Sequence, residues 1–190
     1  MLPTVILPGY FESADVYLPL QQALTEMSTP TTTVPLRIRD WLPTLSSQSM
    51  VPILRELNRT VNAALIDNNS QQINLIDHSA GGWISRIYMG EVPYTIYGDV
   101  TANAVGLWNA RSKIATLITL GTPQISCQKW TKKNLNFAND NYPGAFYPEV
   151  QRFKGWWGTV IFISPIQKGS GIQSVPHVPA NRCKICLCCR

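Results

Sequence analysis

The sequence predicts an α/β fold: a mainly parallel sheet with helices on both faces. Three observations predict it. Short apolar runs alternate along the chain with stretches of helical spacing, the order that builds parallel strands joined by crossover helices. The strand runs carry few polar alternates, as expected of strands covered on both sides. Hydrophobic residues make up 45% of the 190-residue chain and charged residues only 14%, a balance suited to a sheet with two buried faces. That length corresponds to one domain with a proper core.

The elements follow in order. Thr4-Val5-Ile6-Leu7 reads as a buried strand, ended by Pro8-Gly9-Tyr10. Val16, Leu18, Leu20 and Leu24 give a helix over 14–27, and a second strand is expected over 31–36. Val51, Leu54, Leu57, Val61 and Leu65 are spaced as one helical face over 49–68, with Arg55 and Arg59 on another and Ser46, Ser47 or Ser49 available as cap. A strand over 73–77, a helix over 81–89, a strand over 114–120 and a short helix over 130–139 complete the alternation. The connection 91–113 is unusually apolar through Tyr94, Tyr97, Val105, Leu107 and Trp108. It reads equally as a lid or binding wall and as a loop packed on the body.

From about residue 151 the character changes. Lys154-Gly155-Trp156-Trp157-Gly158 precedes one more strand candidate, Val160 to Ile163, and then a Pro/Gly/Lys-rich segment. The expected organisation is a core over 1–150 and a divergent, basic, Cys-rich tail over 151–190, poorly packed against the rest.

The chemistry is concentrated in Ile73-Asn74-Leu75-Ile76-Asp77-His78-Ser79-Ala80-Gly81-Gly82-Trp83. A strand runs into a serine among small residues and a helix starts at once. This is how a chain presents a nucleophilic hydroxyl on a sharp turn, with small neighbours letting strand and helix approach closely. The bland alternative is a strand-turn-helix with a capping serine. Asp77 stands where the usual Gly-x-Ser-x-Gly pattern has glycine; it is expected at a partly exposed strand end and tolerant of replacement. The loop after the first strand and the residue after the nucleophile would supply two backbone N–H groups to an oxyanion, here those of Tyr10 and Ala80.

Downstream, Ile114 to Leu120 ends in Gly121-Thr122-Pro123. The order strand-Pro-Gly-Tyr, strand-His-Ser-Ala-Gly-Gly, strand-Leu-Gly-Thr-Pro resembles the lipase-like branch of the α/β-hydrolase family over roughly residues 2 to 150. It looks most like cyanobacterial and plastid members, through Ile6-Leu7-Pro8-Gly9-Tyr10, Arg39-Asp40-Trp41-Leu42-Pro43, Ser79 to Arg86 and Asn141-Tyr142-Pro143-Gly144-Ala145-Phe146. Gln124 departs from the family, where His commonly follows Leu-Gly-Thr-Pro.

The resemblance implies a serine hydrolase acting on carboxylic esters, lipid esters included, through an acyl-enzyme on Ser79. It also implies an acid and a histidine further along. His177 has the right chain order for the base, and Asp140 is the candidate acid. His78, adjacent to the serine, reads as a packing residue. Because His177 lies where the resemblance has stopped, esterase activity is expected to be weak or absent. A truncated or frame-shifted longer gene would explain the short length and altered tail. The alternative function is a non-catalytic remnant or binding module that keeps the scaffold.

The halves differ in charge: residues 1–100 carry 5 basic and 9 acidic side chains, residues 101–190 carry 11 and 2. A basic tail leaves peripheral membrane contact open, but its charges are scattered and no nucleic-acid motif accompanies them, so no nucleic-acid partner is expected. Cys127 stands alone, while Cys183, Cys186, Cys188 and Cys189 crowd the end. Four thiols within seven residues leave little chain to wrap one ion, so neither metal nor cofactor is expected, and reduced thiols are the favoured reading. No apolar run is long enough to cross a membrane, and no secretory signal is readable at the N-terminus. A cytoplasmic or stromal location is the expectation. The oligomeric state is not legible.

Overall fold

The computed structural model describes residues 1–42, 50–90 and 108–122, together with the backbone of 94–95, 105–106 and 159–163. Five parallel strands form one sheet: β1 (Thr4–Leu7), β2 (Thr31–Thr33), β3 (Ile73–His78), β6 (Ile114–Leu120) and β7 (Thr159–Ile163), in the order β2-β1-β3-β6-β7. A separate antiparallel pair, β4 (Tyr94–Thr95) and β5 (Val105–Gly106), lies within the apolar connection. Among the described residues three longer helices accompany the sheet: α1 (Leu18–Glu26), α2 (Val51–Asp67) and α3 (Gly81–Met89).

The alternation of side chains along each strand divides the core in two. Val5, Leu7, Ile73, Leu75 and Leu117 face α2 and α3, meeting Leu54, Leu57, Val61, Ile84, Ile87 and Tyr88. Ile6 and Ile76 face the other way and pack with Tyr17, Leu20 and Leu24 from the α1 side. Helices therefore cover both faces, as the composition predicts.

Two boundaries move for reasons carried by proline. The expected helix 14–27 begins as a single 3-10 turn over Ala14–Tyr17, and the α-helix starts at Leu18 with Pro19 in its first turn. Proline has no N–H, so it suits the first turn, where that donor has no intrahelical partner. The expected strand 31–36 stops at Thr33. Val34 still donates to the Ile6 carbonyl at 2.9 Å, but Pro35 cannot extend the ladder, and Leu36 N–H turns back onto the Val34 carbonyl at 2.7 Å. The expected strand at 160–163 is β7, paired with β6 from Thr116↔Thr159 to Leu120↔Ile163. The expected helix at 130–139 and the rest of the 151–190 tail lie outside the described residues. Among the described residues no helix is long and apolar enough to cross a membrane.

Candidate active site

The sheet order fixes where a site belongs. From β1 the chain places β2 on one side and β3 on the other. Where successive connections run in opposite directions from neighbouring strands, a crevice opens at the strands' carboxyl ends. Leu7, the last residue of β1, is paired with Asp77 of β3. The Pro8–Phe11 loop and the Ser79 turn therefore leave the sheet side by side.

Ser79 is half-buried and its φ is +51°, in the left-handed region that side chains other than glycine rarely adopt. The turn is held on both sides. Ser79 N–H donates to the Leu120 carbonyl at 2.9 Å, and Ser79's own carbonyl accepts from Gly82 N–H at 3.2 Å. Small residues follow because two strand ends close in on the helix start. A Cβ on Gly81 would stand 3.0 Å from both the Leu7 and Pro8 carbonyl oxygens, and one on Gly82 would press into the Thr122 side chain, 2.6 Å from Cγ2. The residue pattern that predicts a strained turn thus produces one.

The two expected oxyanion donors occupy these neighbouring strand ends. Ala80 is buried at the start of α3, and its carbonyl accepts from Trp83 and Ile84. Tyr10 is part-exposed, with its ring edge-on to Phe11 and Trp41 at centroid distances of 4.5 and 5.3 Å. Phe11 is itself left-handed, with φ +58°. The expected base His177 and acid Asp140 both lie outside the described residues.

Asp77 corrects an expectation. It is wholly buried, not at a partly exposed strand end. It shares a face with Ile73 and Leu75, so it points under α3, towards Ser85 and Arg86. Its Oδ1 accepts from the Thr122 hydroxyl at 3.3 Å, linking the ends of β3 and β6. Burial pushes the Asp77 carboxyl up to about 7, against the Ser85 hydroxyl, the Arg86 charge and Thr122, which favour ionisation. Ser85 exerts that pull from outside hydrogen-bond geometry: among the described residues, Asp77 Oδ2 and Ser85 Oγ are buried without a hydrogen-bond partner. Burial also pulls the Arg86 guanidinium down to about 10, against the attraction of Asp77. Both shifts run towards the neutral forms, so desolvation outweighs the mutual attraction of the two charges.

His78 also differs from its expectation. Its side chain is about two-fifths exposed and lies on the α1 face in a polar cluster. His78 Nδ1 stands 2.9 Å from Glu12 Oε2 and 2.7 Å from the Tyr17 hydroxyl, which is itself hydrogen-bonded to Glu12 Oε2. Gly9 N–H points into the same cluster, 3.1 Å from Glu12 Oε2 and 3.0 Å from the Tyr17 oxygen. Burial would raise the Glu12 carboxyl, but hydrogen bonds from Tyr17 and His78 outweigh it and hold the group below its usual value. Burial and the Glu12 carboxylate push the Tyr17 phenol well above its ordinary range, so it stays an O–H donor. Glu12 and Tyr17 were not singled out from sequence. Among the described residues, no group of three or more His, Cys, Asp and Glu is placed to hold a metal.

No protein-family model matches the chain, and no curated protein matches it. Among solved structures it is similar to a carboxylesterase of the thaumarchaeon Nitrososphaera gargenis, with 15% identity and a TM-score of 0.46, covering 72% of this chain and 44% of that one. It is also similar to tomato methylketone synthase I, with 16% identity and a TM-score of 0.44, covering 70% and 46%. An extracellular alpha/beta-hydrolase from Paenibacillus shows 11% identity and a TM-score of 0.44, covering 74% and 53%. The chain spans about half the length of these proteins.

Proposed function

We propose that the chain is a serine hydrolase of carboxylic esters, lipid esters included, with Ser79 as nucleophile. The observation that carries the reading is the left-handed Ser79 between β3 and α3, at the carboxyl end of a central strand of a parallel sheet. A serine held there at a conformational cost of about 1–3 kcal/mol is out of place as a mere cap. Ser79 Oγ attacks the ester carbonyl carbon. The tetrahedral oxyanion accepts hydrogen bonds from the Tyr10 and Ala80 N–H groups. The ester C–O bond breaks, the alcohol leaves with the proton that Ser79 gave up through the base, and water hydrolyses the acyl-enzyme to the carboxylic acid and restores the serine hydroxyl. By chain order His177 and Asp140 are the remaining candidates for base and acid.

The test is covalent labelling with a fluorophosphonate, which phosphonylates an activated serine. The wild-type chain is expected to label at Ser79 and the Ser79→Ala variant not to label. Equal labelling of both, or none of either, overturns the assignment.

A further inference from the structure

The polar cluster beside the turn has a geometry that packing does not require. Tyr17 packs its ring among Ile6 and Ile76. An apolar side chain would fill that place, yet the hydroxyl is directed at Glu12, His78 and the Gly9 N–H. Two side chains, Glu12 and Tyr17, thus accept from one backbone donor in the loop that carries Tyr10, and a third, His78, is bound to both. They come from the loop itself (Glu12), the 3-10 turn (Tyr17) and the end of β3 (His78). Gly9 is closely enclosed: a Cβ there would stand 2.5 Å from Glu12 Oε2 and 2.8 Å from His78 Nδ1. The loop is fastened further by Trp41 Nε1–H donating to the Glu12 carbonyl at 3.2 Å.

The protons can be placed. Glu12 is ionised and can only accept; Tyr17 donates its one hydrogen to it; Gly9 N–H donates to both. The neighbours of His78 Nδ1 therefore offer it acceptor oxygens, so Nδ1 carries a hydrogen.

We propose that Glu12, Tyr17 and His78 form a clasp that fixes the Gly9–Tyr10 segment against the end of β3 and so sets where the Tyr10 N–H stands relative to Ser79. They are positioning residues for the ester chemistry proposed above, on which this inference rests, and His78 acts through Nδ1–H, not through chemistry at Nε2. An oxyanion donor works only when aimed at the developing charge, so loosening its loop lowers the reaction rate while substrate affinity is held elsewhere.

The test uses the full chain and a fluorophosphonate, reading the limiting rate of Ser79 labelling separately from the concentration at half-saturation. Tyr17→Phe, Glu12→Gln and His78→Gln are expected to lower the limiting rate by about 10- to 100-fold, the scale of a misplaced catalytic group, with little change in half-saturation. His78→Asn, whose amide places a donor where Nδ1–H stood, is expected to recover most of the rate. A second readout needs no activity: Gly9 amide exchange, followed by NMR, is expected to quicken about five- to tenfold in Tyr17→Phe and Glu12→Gln, the scale of one lost hydrogen bond. Wild-type labelling rates in these variants, or His78→Asn as slow as His78→Gln, overturn the proposal. Unchanged Gly9 exchange overturns it as well. An unlabelled wild type with quickened Gly9 exchange keeps the clasp and removes the hydrolase reading, so the two failures are distinct.

Discussion

Ser79 donates its backbone N–H to the carbonyl of Leu120 across the ends of β3 and β6. The hydrogen bond holds the turn on the sheet while φ stays at +51°. The strain is therefore local to one residue, and replacing that residue should release it. Ser79→Gly is expected to stabilise the fold by about 0.5–1 kcal/mol, the left-handed penalty less the larger entropy glycine loses on folding. Ser79→Ala removes the hydroxyl and keeps the penalty, so it should not stabilise. Urea denaturation of the three chains checks the order.

Gly82 and Thr122 set a steric limit behind the turn. A Cβ on Gly82 would stand 2.9 Å from Thr122 Cβ, where neither β6 nor α3 can yield freely. Gly82→Ala is expected to cost about 1–3 kcal/mol and to displace the Thr122 hydroxyl from Asp77. Gly81→Ala, whose Cβ would sit 3.0 Å from two carbonyl oxygens, should cost less. Thermal unfolding of the two variants gives the comparison.

Asp77 makes stability depend on pH with a definite sign. Its folded pKa of about 7 lies above the unfolded value of about 3.8. The folded chain therefore holds a proton that the unfolded chain has lost. The contribution is fully present below about pH 4 and is lost as pH rises towards 7. Relative to wild type, Asp77→Asn is expected to gain stability steadily across that window, by about a few kcal/mol in total. Urea unfolding from pH 4 to 8 measures it; parallel curves for the two chains would refute it. Asp77→Gly, expected from sequence to be harmless, should instead cost on the order of 3 kcal/mol, because it empties a wholly buried space and removes the acceptor of the Thr122 hydroxyl.

Glu12 acts with the opposite sign. Its folded pKa is held below the usual value, so its contribution is present above the unfolded pKa and is lost as pH falls through the folded one. Glu12→Gln should flatten the acid limb of the stability curve and leave the limb above pH 5 to Asp77. Unfolding measured from pH 2 to 5 tests this.

Turnover of a short-chain activated ester is expected to be weak and unaffected by His177→Ala. A base contributes typically about 10²–10⁴-fold, and the segment holding His177 departs from the pattern that the first 150 residues resemble. Robust turnover that collapses in the variant would show that His177 serves as the base.

Much of this was legible in the chain. The strands at 4–7 and 114–120 and the helix at 81–89 fall where apolar runs and spacing place them, because burial on both faces leaves a strong local signal. The Ser79 turn was legible from its small residues. The burial of Asp77 was legible too, had the period of two been followed from Ile73 through Leu75. Glu12 and Tyr17 carried no such signal. Their meeting with His78 depends on two segments more than 60 residues apart being brought together by the β1–β3 pairing, and no local pattern encodes that.

The early stop of β2 has a consequence for association. Among the described residues β2 is an outer strand of the sheet, three threonines long, bracketed by Pro30 and Pro35. A strand arriving from another molecule would find few free ladder positions there, with a residue at either end that cannot donate. The brevity that looks like a defect of secondary structure protects this margin against edge-to-edge aggregation.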